Sequence, residues 1–146
     1  MSAIYLDAAY VAKCYVNEPD SAAVRKLAWA AERRCSSAWS MVEVACVFHR
    51  QVREGALTDV GAAMLREVFL DDVAARVWLL LPVSDTLMHR VSAAVRNLPP
   101  EVALRAGDAV HLVSARDAGF LEIWTNDRRL LRAARHFGLA GKRVTA

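Results

Sequence analysis

Residues 3–10 read AIYLDAAY: four apolar residues, a single aspartate, then straight into alanines. A short apolar run of this kind reads as a buried strand. Asp is a good N-cap, and a helix often starts just after a strand, so capping alone accounts for Asp7. Whether Asp7 does more depends on where the other acids of the chain fall.

The same alternation of strand and helix continues to the end. After the strand Ala3–Leu6, a helix is predicted from Ala9 to Val16, stopped by NEP, and a second from Ser21 to Glu32. CSSA (35–38) is weakly strand-like, and Ser40 opens a long helix to Glu54. Thr58 starts another helix to Val73. RVWLLLPV (76–83) is the best strand of the chain, ended by Pro82. Helices follow at Ser84–Leu98 and Ala106–Ala118, then the strand LEIWT (121–125), a helix Asp127–Phe137 and a last short strand KRVT (142–145). Strands separated by helices imply parallel pairing, and apolar strands fit a sheet covered on both faces. The expected fold is α/β, a three-layer α/β/α sandwich with a central parallel sheet.

The 146 residues suit one domain, residues 1–146, with its own core. Every apolar run is broken by a charge before it reaches the length a bilayer needs, and MSAIYLD lacks the features of a secretory signal. No membrane partner and a cytoplasmic location are therefore expected. Cys14, Cys35 and Cys46 fit no metal or disulfide spacing and read as small buried thiols. The net charge is +3. From Thr125 onward, however, Arg128, Arg129, Arg132, Arg135, Lys142 and Arg143 face one acid, Asp127. Arginine also outnumbers lysine, which favours a phosphate-rich partner.

In a parallel sheet every strand ends at one edge, where ligands bind. Asp7 ends the first strand, Glu43 lies in the first turn after the second, and Asp127 follows EIWT. Asp108 lies in the first turn of the helix that feeds that last strand. Four acids from separate parts of the chain are thus directed to one edge. Two unit charges about 5 Å apart repel by roughly 3 kcal/mol at an effective dielectric of 20, so such a cluster calls for a cation. Oxygen-only ligands select Mg²⁺ or Mn²⁺, and such an ion supports phosphodiester hydrolysis. Each acid also has a plain structural role open to it. Ser40 and Glu43 fit a capping box with Trp39 and Val44 as its staple. Asp127 is a plausible N-cap, and Asp108 suits the positive end of a helix.

Four segments, IYLDAAYVAKCYVNEPDS (4–21), SSAWSMVEVACVFHR (36–50), LRAGDAVHLVSARDAGF (104–120) and IWTNDRRLLRAARHFGL (123–139), together resemble PIN-domain ribonucleases, in particular the VapC toxins of bacterial type II toxin–antitoxin systems. The resemblance runs from the first strand to the last helix, and between Gly55 and Val102 it follows element order alone. It implies an acidic quartet of Asp7, Glu43, Asp108 and Asp127 holding Mg²⁺ or Mn²⁺ for cleavage of RNA, a homodimer, and a VapB-like antitoxin that blocks the site. Ser40 and Thr125 stand where hydroxyls orient the acids from behind. The chain departs from the pattern at Ala8 and Ala9, where many relatives carry a Ser, Thr or Asn. His111 shares a helix face with Asp108; it either reaches the reacting groups or packs in the core. Lys13 and the arginines of the last helix either meet RNA phosphates or form a solvated face. GxSxG, P-loop, GxGxxG and HExxH motifs are absent. The competing reading is a catalytically silent PIN-like module that binds RNA or a protein, its acidic pocket holding a partner's arginine.

Overall fold

A computed structural model describes residues 2–145. Its strands are β1 (Ala3–Tyr5), β2 (Arg33–Ser37), β3 (Trp78–Leu81), β4 (Glu122–Trp124) and β5 (Ala140–Lys142). The helices are α1 (Ala8–Lys13), α2 (Ser21–Ala30), α3 (Ser40–Arg53), α4 (Asp59–Ala74), α5 (Asp85–Arg96), α6 (Ala106–Asp117) and α7 (Arg128–Ala133), the last followed by a 3₁₀ turn at Ala134–Phe137. Pairing is parallel throughout: β2 lies between β1 and β3, and β4 pairs with β5. One parallel bridge, Leu6 with Trp124, joins the two sets, so the strands run β3-β2-β1-β4-β5.

Side chains alternate across the pleat and feed two separate cores. Ile4 and Leu6 pack with α1, α2, α3 and α4, where Val11, Val24, Val44 and Phe69 are buried. Tyr5 and Cys35 point the other way, into Val91 of α5, Leu112 and Val113 of α6, and Leu130 of α7. Neighbouring β3 residues divide likewise, Trp78 and Leu80 to the first core, Leu79 and Leu81 to the second. This is the expected three-layer sandwich, with helices on both faces of a parallel sheet. Among the described residues no helix is long and apolar enough to cross a membrane.

Most elements fall where the pattern placed them, with Thr58 and Ser84 capping α4 and α5 through their hydroxyls. The last strand is displaced, at Ala140–Lys142 instead of KRVT. Its register against β4 requires this, because Glu122–Trp124 pair with Ala140–Lys142. The Val144 N–H then turns to Tyr10 Oη at 2.9 Å. The helix predicted over residues 127–137 tightens after Ala133 and closes on Gly138, whose φ of +70° suits glycine. The expectation of three buried thiols holds for Cys35, whereas Cys14 is half-buried and Cys46 exposed. Burial pushes the Cys14 thiol up to about 12.

The first core contains one polar chain. Trp78 Nε1 donates to Tyr15 Oη at 2.7 Å, and Tyr15 in turn donates to Asp72 at 2.5 Å. Tyr15→Phe keeps the ring against Phe48 and Phe69 but leaves the buried indole N–H without its acceptor. The expected loss is about 1–3 kcal/mol by urea unfolding, at unchanged m-value; equal stability would show that the hydroxyl contributes nothing.

Candidate active site

The strand order reverses between β1 and β4, and at such a switch point the loops leaving the two strands part and open a crevice. Asp7 stands at its centre, immediately after β1. Its Oδ1 accepts the Tyr10 N–H at 2.9 Å and caps α1. Its Oδ2 accepts a short hydrogen bond from the Thr125 hydroxyl. The same hydroxyl accepts the Asp127 N–H at 2.9 Å, so Thr125 ties the two acids together across the switch point. Asp127 caps α7 with Oδ1, which accepts from Arg129 N at 2.8 Å and Leu130 N at 3.2 Å. Both aspartates are therefore caps through one oxygen, and in each the second oxygen faces another side chain, Thr125 for Asp7 and Arg105 for Asp127.

Glu43 reaches the crevice from the first turn of α3 with a side chain 37% exposed. Its Oε1 lies 2.8 Å from His111 Nε2, and His111 Nδ1 lies 2.8 Å from Tyr5 Oη. A neutral imidazole protonated at Nε2 satisfies both contacts: Tyr5 donates to Nδ1, and Nε2 donates to the carboxylate. Burial, with Asp7 nearby, pushes Tyr5 ionisation well above its usual range, so the phenol stays a donor. His111 is 2% exposed and thus packs in the core while holding Glu43. Gly107 keeps this corner open. A Cβ there would stand 3.2 Å from Trp39 Nε1 and 3.6 Å from Glu43 Oε1.

Asp108, in the first turn of α6, accepts from the Arg105 backbone N–H at 3.3 Å and from Arg105 Nε at 3.4 Å. Arg105 Nη2 also donates to Asp127 Oδ2 at 2.5 Å. One guanidinium thus spans the two acids. Burial and repulsion from Asp127 raise the Asp108 carboxyl above its usual range, against the pull of Arg105. Among the described residues no group of three or more His, Cys, Asp or Glu side chains is arranged to hold a metal ion. The donor chemistry of the acids, all carboxylate oxygen and two of them pushed up by burial, nevertheless matches a hard divalent cation.

Two sequence expectations change. Ser40 does not cap α3: Trp39 holds that position in helical conformation without a side-chain bond, so the capping box with Glu43 is not formed. The Ser40 hydroxyl meets Ser36 Oγ at 2.7 Å instead of a carboxylate, and Ser36 donates to the Leu6 carbonyl. Ser40 therefore braces β2 against β1. Lys13 is not free for phosphate, since Glu18 and Asp20 hold its ammonium at 2.9 and 2.7 Å. Asp20 also accepts from Asn126, whose Oδ1 receives the Tyr10 hydroxyl at 2.6 Å. Asn126, Arg105, Gly107 and Tyr5 were not singled out from sequence. The one local signal among them is the three-residue spacing of Arg105 and Asp108 at a helix start.

Burial, partly offset by the Thr125 hydrogen bond, pushes the Asp7 carboxyl from 3.8 up to about 6. The folded protein therefore holds this proton more tightly than the unfolded chain. The associated stability is complete below pH 4 and is lost as pH rises through about 6, about 3 kcal/mol in all. In metal-free buffer Asp7→Asn is accordingly expected to raise Tm by several degrees at pH 7.5 and by nothing at pH 4. A Tm at or below wild type at pH 7.5 would contradict this.

Comparison with known proteins bears on the fold and the family. No curated protein matches the sequence. Among solved structures the fold is similar to VapBC2 from Rickettsia felis bound to a DNA fragment from the promoter, with a TM-score of 0.66, 13% identity, and coverage of 99% of this chain and 100% of that one. The PIN domain matches residues 4–136, which include all four acids, and the chain belongs to the PIN-domain family.

Proposed function

We propose that this protein is a VapC-type toxin: an endoribonuclease, dependent on Mg²⁺ or Mn²⁺, that hydrolyses RNA phosphodiester bonds. The observation that carries the reading is the delivery of Asp7, Glu43, Asp108 and Asp127, from four different elements, to the carboxyl edge of the sheet at its switch point. These four residues would hold the ion, which when bound supplies Lewis acidity toward water and a phosphate oxygen. The chain's own groups prepare the site. Thr125 sets Asp7 and Asp127 relative to each other, and His111, fixed by Tyr5, aims Glu43. The absence of a hydroxyl at Ala8 and Ala9 leaves more of that positioning to Thr125. Along α7 and the turn that follows it, a cavity of about 520 Å³ lined by Arg129, Arg132, Arg135 and His136, with Glu101 opposite in charge, offers cationic contacts to a phosphate backbone.

The fold shared with a VapBC complex supports a VapB-like antitoxin as partner, and an RNA substrate would place the protein's action in the cytoplasm. The homodimer would use apolar surface such as Val60, Met64 and Val68, exposed at four-residue spacing along α4. The binding-only reading draws on one observation, the arginine already seated between Asp108 and Asp127.

Incubation of structured RNA with the purified protein separates the two. Cleavage with Mg²⁺ or Mn²⁺, stopped by chelator, is the expected result. Asp7→Asn is expected to abolish it with folding intact, and Thr125→Val to slow it about 10–100-fold. RNA that stays whole in the presence of both metals, while complex formation survives chelation, would establish the silent module instead. RNA ends sequenced after brief expression in cells identify the target.

A further inference from the structure

The side-chain hydrogen bonds of Arg105 all go to two acids of the candidate site, Asp108 and Asp127, among the described residues. The grip is uneven. The guanidinium contact to Asp127 is 2.5 Å, whereas its contact to Asp108 is 3.4 Å, on the oxygen that the Arg105 backbone N–H also reaches at 3.3 Å. The side chain is 60% exposed, against 11% for Asp108 and 27% for Asp127. The acids are anchored, Asp127 by capping α7 and Asp108 by its place in the first turn of α6. The arginine is a long arm lying over them in solvent, and its departure would uncover no core. Exposed ion pairs of this kind contribute little, yet without a counter-ion the buried Asp108 would face Asp127 directly, the repulsion that already raises its carboxyl. A divalent ion drawing on both Asp108 and Asp127 must compete for the oxygens that the guanidinium occupies.

We propose that Arg105 is a tethered counter-ion: it closes over Asp108 and Asp127 while no divalent ion is bound, is displaced when one binds, and so sets the divalent concentration at which the site loads. The proposal rests on the metal-site reading above. A latch closed about nine-tenths of the time weakens apparent metal affinity about ten-fold relative to the open site.

The test is a Mn²⁺ titration of the full chain, with free Mn²⁺ read by electron paramagnetic resonance. Arg105→Gln is expected to lower the Kd about ten-fold. Arg128→Gln, which removes the same charge one residue from Asp127, is expected to change it by no more than about two-fold, because an exposed guanidinium that is not bonded to the acids acts on the ion only through screened repulsion. Equal Kd values for wild type and Arg105→Gln would overturn the latch alone, and so would an equal gain from Arg128→Gln. If neither wild type nor Arg105→Gln binds Mn²⁺ at millimolar concentration, the metal-site reading fails and the latch with it. A second measurement needs no variant. In the ¹⁵N spectrum of arginine side chains, the Arg105 Nε–H resonance is expected to move over the same Mg²⁺ range that loads the site, while Arg128 stays in place. An Arg105 signal unmoved at saturating Mg²⁺ would overturn the proposal.

Discussion

The two halves of the sheet meet at one narrow joint, the parallel bridge of Leu6 with Trp124 and the hydrogen bond from Asp7 N–H to the Trp124 carbonyl at 3.1 Å. Everything at the candidate site is placed relative to it. β1 hands the chain to α1 at Asp7, and β4 hands it to α7 at Asp127, so the joint brings two helix starts side by side. Thr125 spans them with one hydroxyl that donates to one acid and accepts from the backbone of the other. Because the joint is short, the segments leaving β1 and β4 part beyond it and open a crevice.

That placement sets capping against charge. Helix N-termini attract carboxylates through free N–H groups and the aligned peptide dipoles, and Asp7, Asp108 and Asp127 all take such positions. Burial opposes their ionisation, which raises the carboxyls of Asp7 and Asp108. Hydrogen bonds from Thr125 to Asp7 and between His111 and Glu43 hold these two acids in place. Arg105 is the cation bonded within this group of acids. The acids are thus held in place by hydrogen bonds, and two of them by a guanidinium as well.

The polar scaffold behind the acids is shared with the core. Tyr5 packs edge-on to Phe120 in the second core while its hydroxyl meets His111. Ser40 meets Ser36, which donates to the carbonyl of Leu6, directly before Asp7. Motion of β1 against β2 or α6 is therefore transmitted to Asp7 and Glu43, and the site inherits the rigidity of the sheet.

The alternation of apolar strands with helices by itself determined the three layers and the parallel sheet, because strand residues must be buried and helices of this length must cross over between them. It determined as well that Asp7, Glu43, Asp108 and Asp127 lie at one edge, since chain direction alone decides at which end of a parallel strand the next element starts. Side-chain partners were another matter. That Ser36, which holds Ser40, reaches the Leu6 carbonyl across 30 positions, that His111 binds Glu43 across 68, and that Arg105 reaches Asp127 depend on contacts between elements separated in sequence. Local spacing carries no information about such contacts. Only the pairing of β1 with β2 and the packing of α6 against the sheet decided them, by choosing which polar atoms come within hydrogen-bond distance of one another.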